Sequence, residues 1–299
     1  MTVLIGVQIH PAAGETGARQ EQALKVLGEL SGVERVNLQF ARDWTSLTHD
    51  RFDTLSVLEQ DSLTVTGLVE GTRKPIISEL CAVLAAEAVR RNCEYFCFTN
   101  SDILVSQAAI DEIEGRKRDG YAFSRMDIDP RTGEELGIVL EGMDVIAVRA
   151  SWWRLNAHRF RAFIVGEPCW DSQYTSTMVR YSDAVILNVR PLIRHVAHPK
   201  AWSHTSPFAR YNGYLTALDA RLFSLWCEYH ALRAAWPAAA GRTAEEENFT
   251  LQRATLRRPW PIGSDVLQAA RSVKAWVSYG RARRRFSSGA RHDNVIGPG

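Results

Sequence analysis

A short aromatic run, Tyr95-Phe96-Cys97-Phe98-Thr99, is followed directly by three polar residues, Asn100-Ser101-Asp102. Asp102 offers a hard carboxylate oxygen to Mg²⁺ or Mn²⁺. Asn100, two positions earlier, can add an amide carbonyl or bind a ribose or phosphate. Magnesium takes only one or two protein carboxylates and completes its shell with water and substrate phosphates, so one Asp beside an Asn is chemically sufficient. The same residues are good helix N-caps, and spacing alone leaves that reading open. A second acidic spacing, Asp127-Ile128-Asp129, follows a strand-like stretch at 121–125. Pro130-Arg131-Thr132-Gly133 comes straight after it and marks an exposed hairpin loop; Arg125, just before, is better placed to meet a phosphate. His195 and His198 stand three apart, a spacing that lets a helix share them on one metal. Pro199 and the β-branched neighbours argue instead for a loop or strand.

Such groups need a scaffold. Residues 2–9 read as a central strand closed by His10-Pro11, 14–17 as a loop, and 18–30 as a helix stopped at Ser31-Gly32. A second strand is expected at 33–40. The stretch 43–70 is ambiguous, with 62–69 able to form a third short strand. Pro75 can open a helix through 76–91, followed by a strand at 95–98 and a helix at 107–116. This alternation predicts an α/β architecture, a mostly parallel sheet with helices on both faces. Such sheets bind ligands beyond the carboxyl ends of their strands, where residues 99–102 fall. Beyond Asp119-Gly120 the pattern changes to short strands at 121–125, 137–140 and 144–149. Further strands are expected at 159–165 and 184–189, with a helix at 170–180 between them. Residues 215–235 read as one long helix ended by a break at 237–241. An amphipathic basic helix is expected at 266–286 and a disordered tail at 287–299.

The 299 residues are 45% hydrophobic and 23% charged, proportions of an ordinary soluble globular protein. The net charge of +2 conceals an asymmetry. From Arg253 onward ten Lys and Arg face two acids, a net of +8, while the rest of the chain holds 26 bases and 32 acids, a net of −6. The basic end, above all Arg281-Ala282-Arg283-Arg284-Arg285, suits an anionic membrane surface. A negative main body argues against nucleic acid as a partner. The five cysteines form no CxxC pair and read as free thiols in a reducing compartment. The opening run has no basic n-region or cleavage site, and no apolar stretch approaches the roughly 20 residues that cross a bilayer. The expectation is a cytoplasmic protein, touching a membrane at its inner face if at all.

The run Tyr-Phe-Cys-Phe-Thr-Asn-Ser-Asp-Ile resembles the strand and acidic turn of GT-A-fold glycosyltransferases, where an Asp-x-Asp-like motif holds a divalent cation against a nucleotide diphosphate. Here Asn100 replaces the first carboxylate and leaves Asp102 as the main metal candidate. Gly142-Met143-Asp144-Val145-Ile146-Ala147-Val148-Arg149 is similar to the strand lining the acceptor side. Gly166-Glu167-Pro168-Cys169-Trp170-Asp171 resembles the acidic loop and helix start that supply the base in inverting members. His195-Val196-Ala197-His198-Pro199-Lys200-Ala201-Trp202 looks like the late His segment that completes the metal or diphosphate site. The resemblance implies a GT-A-like, Rossmann-type catalytic domain over 1–205, a helical C-terminal extension over 206–286 and a tail over 287–299. It implies transfer of a sugar from a nucleotide-sugar donor to a glycan or other acceptor, with Mn²⁺ or Mg²⁺, and inversion, since a base is in view and no nucleophile is. Asp102 with His195 or His198 would hold the metal. Arg73, Lys74, Asn100, Ser101 and Arg125 would meet the donor, and Asp144 and Trp170 the acceptor. Asp171, or Glu167 four residues before it, would take the acceptor proton. Two other readings stay open: a sugar nucleotidylyltransferase, for which 10–17 supplies only Gly14 and Gly17 toward a phosphate loop, and a non-catalytic transferase-like protein with a membrane-binding tail.

Overall fold

The computed structural model describes residues 2–42, 47–199, 203, 205–236, 243–260 and 264–289. The fold is α/β, built on a mixed nine-stranded sheet in the order β3-β2-β1-β4-β7-β6-β9-β5, with β8 also pairing with β6. The strands are β1 (Val3–Val7), β2 (Val33–Phe40), β3 (Asp53–Leu58), β4 (Tyr95–Thr99), β5 (Ile103–Val105), β6 (Gly120–Ile128), β7 (Glu135–Arg149), β8 (Val185–Leu187) and β9 (Ile193–Val196). The helices are α1 (Gly14–Glu29), α2 (Ser62–Thr66), α3 (Ile77–Arg90), α4 (Gln107–Arg116), α5 (Ala150–Asn156), α6 (Trp170–Tyr181), α7 (Pro207–Leu218), α8 (Ala220–Ala235), α9 (Thr243–Leu256) and α10 (Ser264–Gly289). Strands β1 to β4 run parallel to one another. The antiparallel β7 then joins β4 to β6. β1 and β4 are buried along their whole length, as continuous apolar runs in the middle of a parallel sheet should be.

Helices cover both faces. On one side α1 and α4 close over Val3, Ile5, Tyr95 and Cys97; on the other α3, α5 and α6 pack over Leu4, Phe96 and Phe98. Leu215 of α7, Trp226 and Tyr229 of α8 and Leu251 of α9 belong to that same second cluster, so these later helices share the core of the sheet. All five cysteines are free thiols, three of them buried.

Several elements differ from the sequence reading, each for a local reason. The expected loop at 14–17 is already helical, because the Gly17 N–H donates to the Ala13 carbonyl and closes the first turn. The expected strand at 62–69 is instead α2. The Asp61 carboxylate caps it by accepting from the Thr64 N–H at 2.7 Å, and Gly67 (φ +67°) ends it. Capping at both ends thus outweighs the β-branched composition, and the third strand lies earlier, at β3. No strand forms at 159–165. Phe160 and Phe163 turn into an aromatic cluster with Trp153 and Tyr174, and Ile164, bound at both its N–H and its C=O by Asn212, makes only an isolated antiparallel bridge to Ile76. The helix expected at 215–235 divides at Asp219, whose non-helical backbone separates α7 from α8 while its carboxylate pairs with Arg161. The strands expected at 137–140 and 144–149 are one continuous β7. The break at 237–241 and residues 290–299 of the tail lie outside the described residues; α10 itself reaches Gly289.

Candidate active site

Strand order reverses between β1 and β4: the chain proceeds outward from β1 to β2 and β3, then returns to place β4 on the other side. The crevice beyond the carboxyl ends at such a point is where open α/β sheets bind ligands. Asn100, Ser101 and Asp102 leave β4 there and lead into β5.

Asp102 meets two imidazoles supplied from almost a hundred residues later. β9 pairs antiparallel with β5, putting His195 opposite Ile103, and parallel with β6, putting it opposite Asp127. His195 Nε2 lies 3.7 Å from Asp102 Oδ2, and His198 Nε2 lies 3.3 Å from the same oxygen. One ligand atom from each of the three residues falls within 4.8 Å of the others. A carboxylate and two imidazoles, half-buried at the end of a sheet, form a donor set that fits one divalent cation and leaves positions for water and phosphate. Burial pushes the Asp102 carboxyl up, but hydrogen bonding and charge from His195 and then His198 outweigh it and bring it to about 2. Burial pulls His195 down; its bonds to Asp102 and Asp127 win over that and over the opposing Arg125, and leave its pKa raised.

The two acidic segments turn out to be joined. His195 Nδ1 donates to Asp127 Oδ1 at 3.0 Å, which turns Nε2 toward Asp102. Arg125 donates from Nε to Asp127 at 2.9 Å and from Nη1 to Asp144 Oδ2 at 2.7 Å. Asn100 Nδ2 donates to Asp144 Oδ1 at 3.0 Å. A continuous polar network therefore runs from Asn100 through Asp144, Arg125, Asp127 and His195 to Asp102. Asp127 belongs to β6, not to the loop the sequence suggested. The loop begins after it, where Asp129 accepts from the N–H groups of Arg131 and Thr132.

Asp171 sits in the first turn of α6. Its carboxylate accepts from the Ser172 N–H at 2.8 Å and the Met143 N–H at 3.2 Å. Burial and the charge of Asp144 together outweigh these bonds and raise its pKa to about 6. It borders a cavity of about 800 Å³ that is also lined by Asn100, Asp102, Arg125, Asp144, His195 and His198.

Other expected site residues are committed elsewhere. Glu167 is buried at the cavity edge, where Lys74 Nζ lies 2.7 Å from one oxygen and Ser206 donates to the other at 3.2 Å. Both its oxygens are thus engaged by side chains, whereas the Asp171 carboxylate meets only backbone N–H groups. Lys74 is held by that pair and does not line the cavity. Arg73 pairs with Asp61 and does not line it either. Ser101 is buried and donates to Gln20 at 2.8 Å, away from the cavity. Trp170 borders the cavity, but it is only 4% exposed and set edge-on against Phe98, a core ring and not an open platform for a sugar.

The opposite wall went unrecognised in the sequence. α8 presents Phe223, Trp226, Cys227, His230, Ala231 and Ala234 to the cavity. These fall at i, i+3, i+4, i+7, i+8 and i+11, which reads as an ordinary core stripe. His230 was the available signal: both its ring nitrogens are buried without a hydrogen-bond partner, and burial lowers its pKa to about 4.

No family model matches the chain, and no curated protein matches it. Solved structures do. S. aureus TarS 1–349 is 10% identical, with 95% of this chain and 92% of that one covered and a TM-score of 0.47. The mannosyltransferase PcManGT from Pyrobaculum calidifontis, solved in complex with GDP-Man and Mn²⁺, is 13% identical over 98% of this chain and 81% of that one, with a TM-score of 0.39. A 4-diphosphocytidyl-2C-methyl-D-erythritol synthase is 12% identical over 70% and 95%, with a TM-score of 0.34.

Proposed function

We propose that the chain is a cytoplasmic glycosyltransferase that moves a sugar from a nucleoside-diphosphate donor to a hydroxyl-bearing acceptor such as a glycan, with inversion. The observation that carries this reading is a convergence. Asp102, His195 and His198 come together on one side of a cavity, and Asp171, with its carboxyl raised to about 6, borders the same cavity. Mn²⁺ or Mg²⁺ bound by those three residues would neutralise the departing diphosphate. Asp127 holds His195 in the tautomer that faces Asp102. Asn100 and Arg125, pinned by Asp144, present an amide and a guanidinium toward donor phosphate or sugar, and their fixed geometry spares reorganisation during transfer. Asp171, ionised near neutral pH yet basic enough to accept a proton, takes it from the acceptor hydroxyl as that oxygen attacks the anomeric carbon. The free thiols and the reducing compartment they suit support the cytoplasmic placement.

The test is a thermal-shift screen of nucleoside diphosphates and their sugars with and without Mn²⁺, followed by donor-hydrolysis and transfer assays. A ligand at a hundred times its Kd stabilises by about 2.7 kcal/mol. The expected result is Mn²⁺-dependent stabilisation by at least one nucleoside diphosphate, lost in Asp102→Asn and His198→Ala while both variants keep the wild-type circular dichroism spectrum. Unchanged affinity in both variants would remove the metal site from the proposal. Pyrophosphate release from a nucleoside triphosphate and a sugar phosphate would replace it with nucleotidyl transfer.

A further inference from the structure

Among its described residues, helix α10 presents three different faces, and one of them packs on the fold. Gln268, Ser272 and Tyr279 lie on one side, against α7. Gln268 Nε2 donates to the carbonyls of Ala217 and Leu218 at 2.7 Å each, and its side-chain oxygen accepts from the Arg221 N–H at 3.2 Å. The Tyr279 ring stacks on Tyr214 at 5.4 Å and meets Tyr211 edge-on at 5.6 Å. The helix is thus fixed in orientation. At 3.6 residues per turn, Val266, Ala270, Val273 and Val277 fall in one stripe on the face turned away from α7. Val266 is 74% exposed and Val273 63%, and Trp276, about a quarter turn round from the stripe on the side away from the cations, is 64% exposed. A third face is basic. Lys274 and Arg281 flank the apolar stripe along one side, Arg271 lies further round on that side, and Arg284 continues the line of the stripe; all four are exposed.

An apolar stripe on a rigidly docked helix costs hydration free energy unless something covers it. The charge pattern selects the occupant. A second copy of the chain, docking through the same stripe, would bring two basic flanks together. A polyanion without an apolar phase would leave the valines and Trp276 in water. An anionic bilayer surface satisfies both faces: the valines enter the acyl boundary, the indole sits at the headgroup level, and the cations meet lipid phosphate. We infer that α10 is a membrane-docking helix, lying in the plane of an anionic bilayer through Val266–Val277. The contact is centred on this apolar stripe and not on the Arg281–Arg285 run that stands out in the sequence. None of these side chains borders the cavity, so the inference stands apart from the transferase reading.

The experiment is co-flotation of the full chain with large vesicles, either pure phosphatidylcholine or with about a third phosphatidylglycerol, at about 0.15 M and about 1 M salt. The expected result is flotation with the anionic vesicles and not the neutral ones, weakened several-fold at high salt because the charges are screened. Val273→Ser/Trp276→Ser is expected to lower the partition coefficient at least tenfold, as is Arg271→Glu/Lys274→Glu/Arg281→Glu. All of these side chains are exposed, so the folds should survive, with circular dichroism as the check. Equal binding to both vesicle types, or no loss in the apolar double variant, overturns the inference. So does a dimer in sedimentation velocity that Val273→Asp dissociates, since that makes a second copy the occupant. Nucleotide binding needs no vesicle, so failure here and failure of the transferase proposal are separately visible.

Discussion

Asp102 and Asp171 border one cavity, share one side-chain chemistry and are driven in opposite directions. Two imidazoles pull Asp102 down to about 2, while burial and the neighbouring charge of Asp144 push Asp171 up to about 6. Pairs of carboxyls separated in this way are how a single site divides its roles. The sign of the pH effect follows from the base role proposed for Asp171, since a base works ionised. The value of kcat/KM should fall as pH drops through about 6, by about tenfold per unit below it. Asp171→Asn should lower transfer by about 10²–10⁴-fold with donor affinity retained. Asp144→Asn removes the like charge beside Asp171, so the acid limb of the profile should move to lower pH; a limb still near 6 in that variant would assign it to another group. Of these residues Asp102 stood out in the sequence, as the last of a polar triplet directly after an aromatic strand, although the triplet's N-cap reading stayed open there. Asp127 was not. Its neighbours Pro130–Gly133 carry a strong turn signal, and only the pairing of β6 with β7 and β9 shows that the strand persists through Asp127 before the turn begins.

At the scale of elements, the site depends on where strands end and how tightly helices press on them. β1 and β4 are adjacent, with Gly6 opposite Phe98 in the register. Leu84 of α3 packs directly on Gly6: a Cβ built there would stand 2.3 Å from Leu84 Cδ2. Gly6→Ala should therefore force Leu84 out of place and cost about 1–3 kcal/mol, read as a lower urea midpoint with unchanged slope. A midpoint equal to wild type would mean the Leu84 side chain moves aside freely. Apolar periodicity sufficed for β1, β2, α3, β4 and α4, where short range decides the outcome. It failed at α2, where two caps overrode β-branched residues. It failed again between α7 and α8, where the Arg161–Asp219 pairing comes from across the chain.

Across the whole molecule, contacts of long sequence separation hold the cavity in shape. Lys74 and Glu167 are 93 residues apart, and Ser206 at the start of α7 binds the same carboxylate. Glu167 is almost completely buried, so removing its partner leaves an uncompensated charge. Lys74→Met should cost about 3 kcal/mol, the low end of the range for broken buried pairs because Lys74 is itself partly exposed. Lys74→Met/Glu167→Gln should recover part of that loss in the same urea titration. A single variant as stable as wild type would mean that the pair contributes nothing.

The sequence by itself determined the α/β class, the strand-end position of Asn100–Asp102 and the basic character of the C-terminal helix. These follow from local patterns: unbroken apolar runs, turn residues, caps and charge runs. Only the tertiary structure decided which groups share a cavity. It placed His195 and His198 on Asp102 through β9, bound Asp127 to His195, spent Arg73, Lys74 and Glu167 on ion pairs, and made α8 the opposite wall. Each of those outcomes rests on pairing between segments distant in the chain. A side chain's partners across the sheet cannot be read from its own neighbours, because residue type and spacing fix what it can bind and the fold fixes what lies within reach.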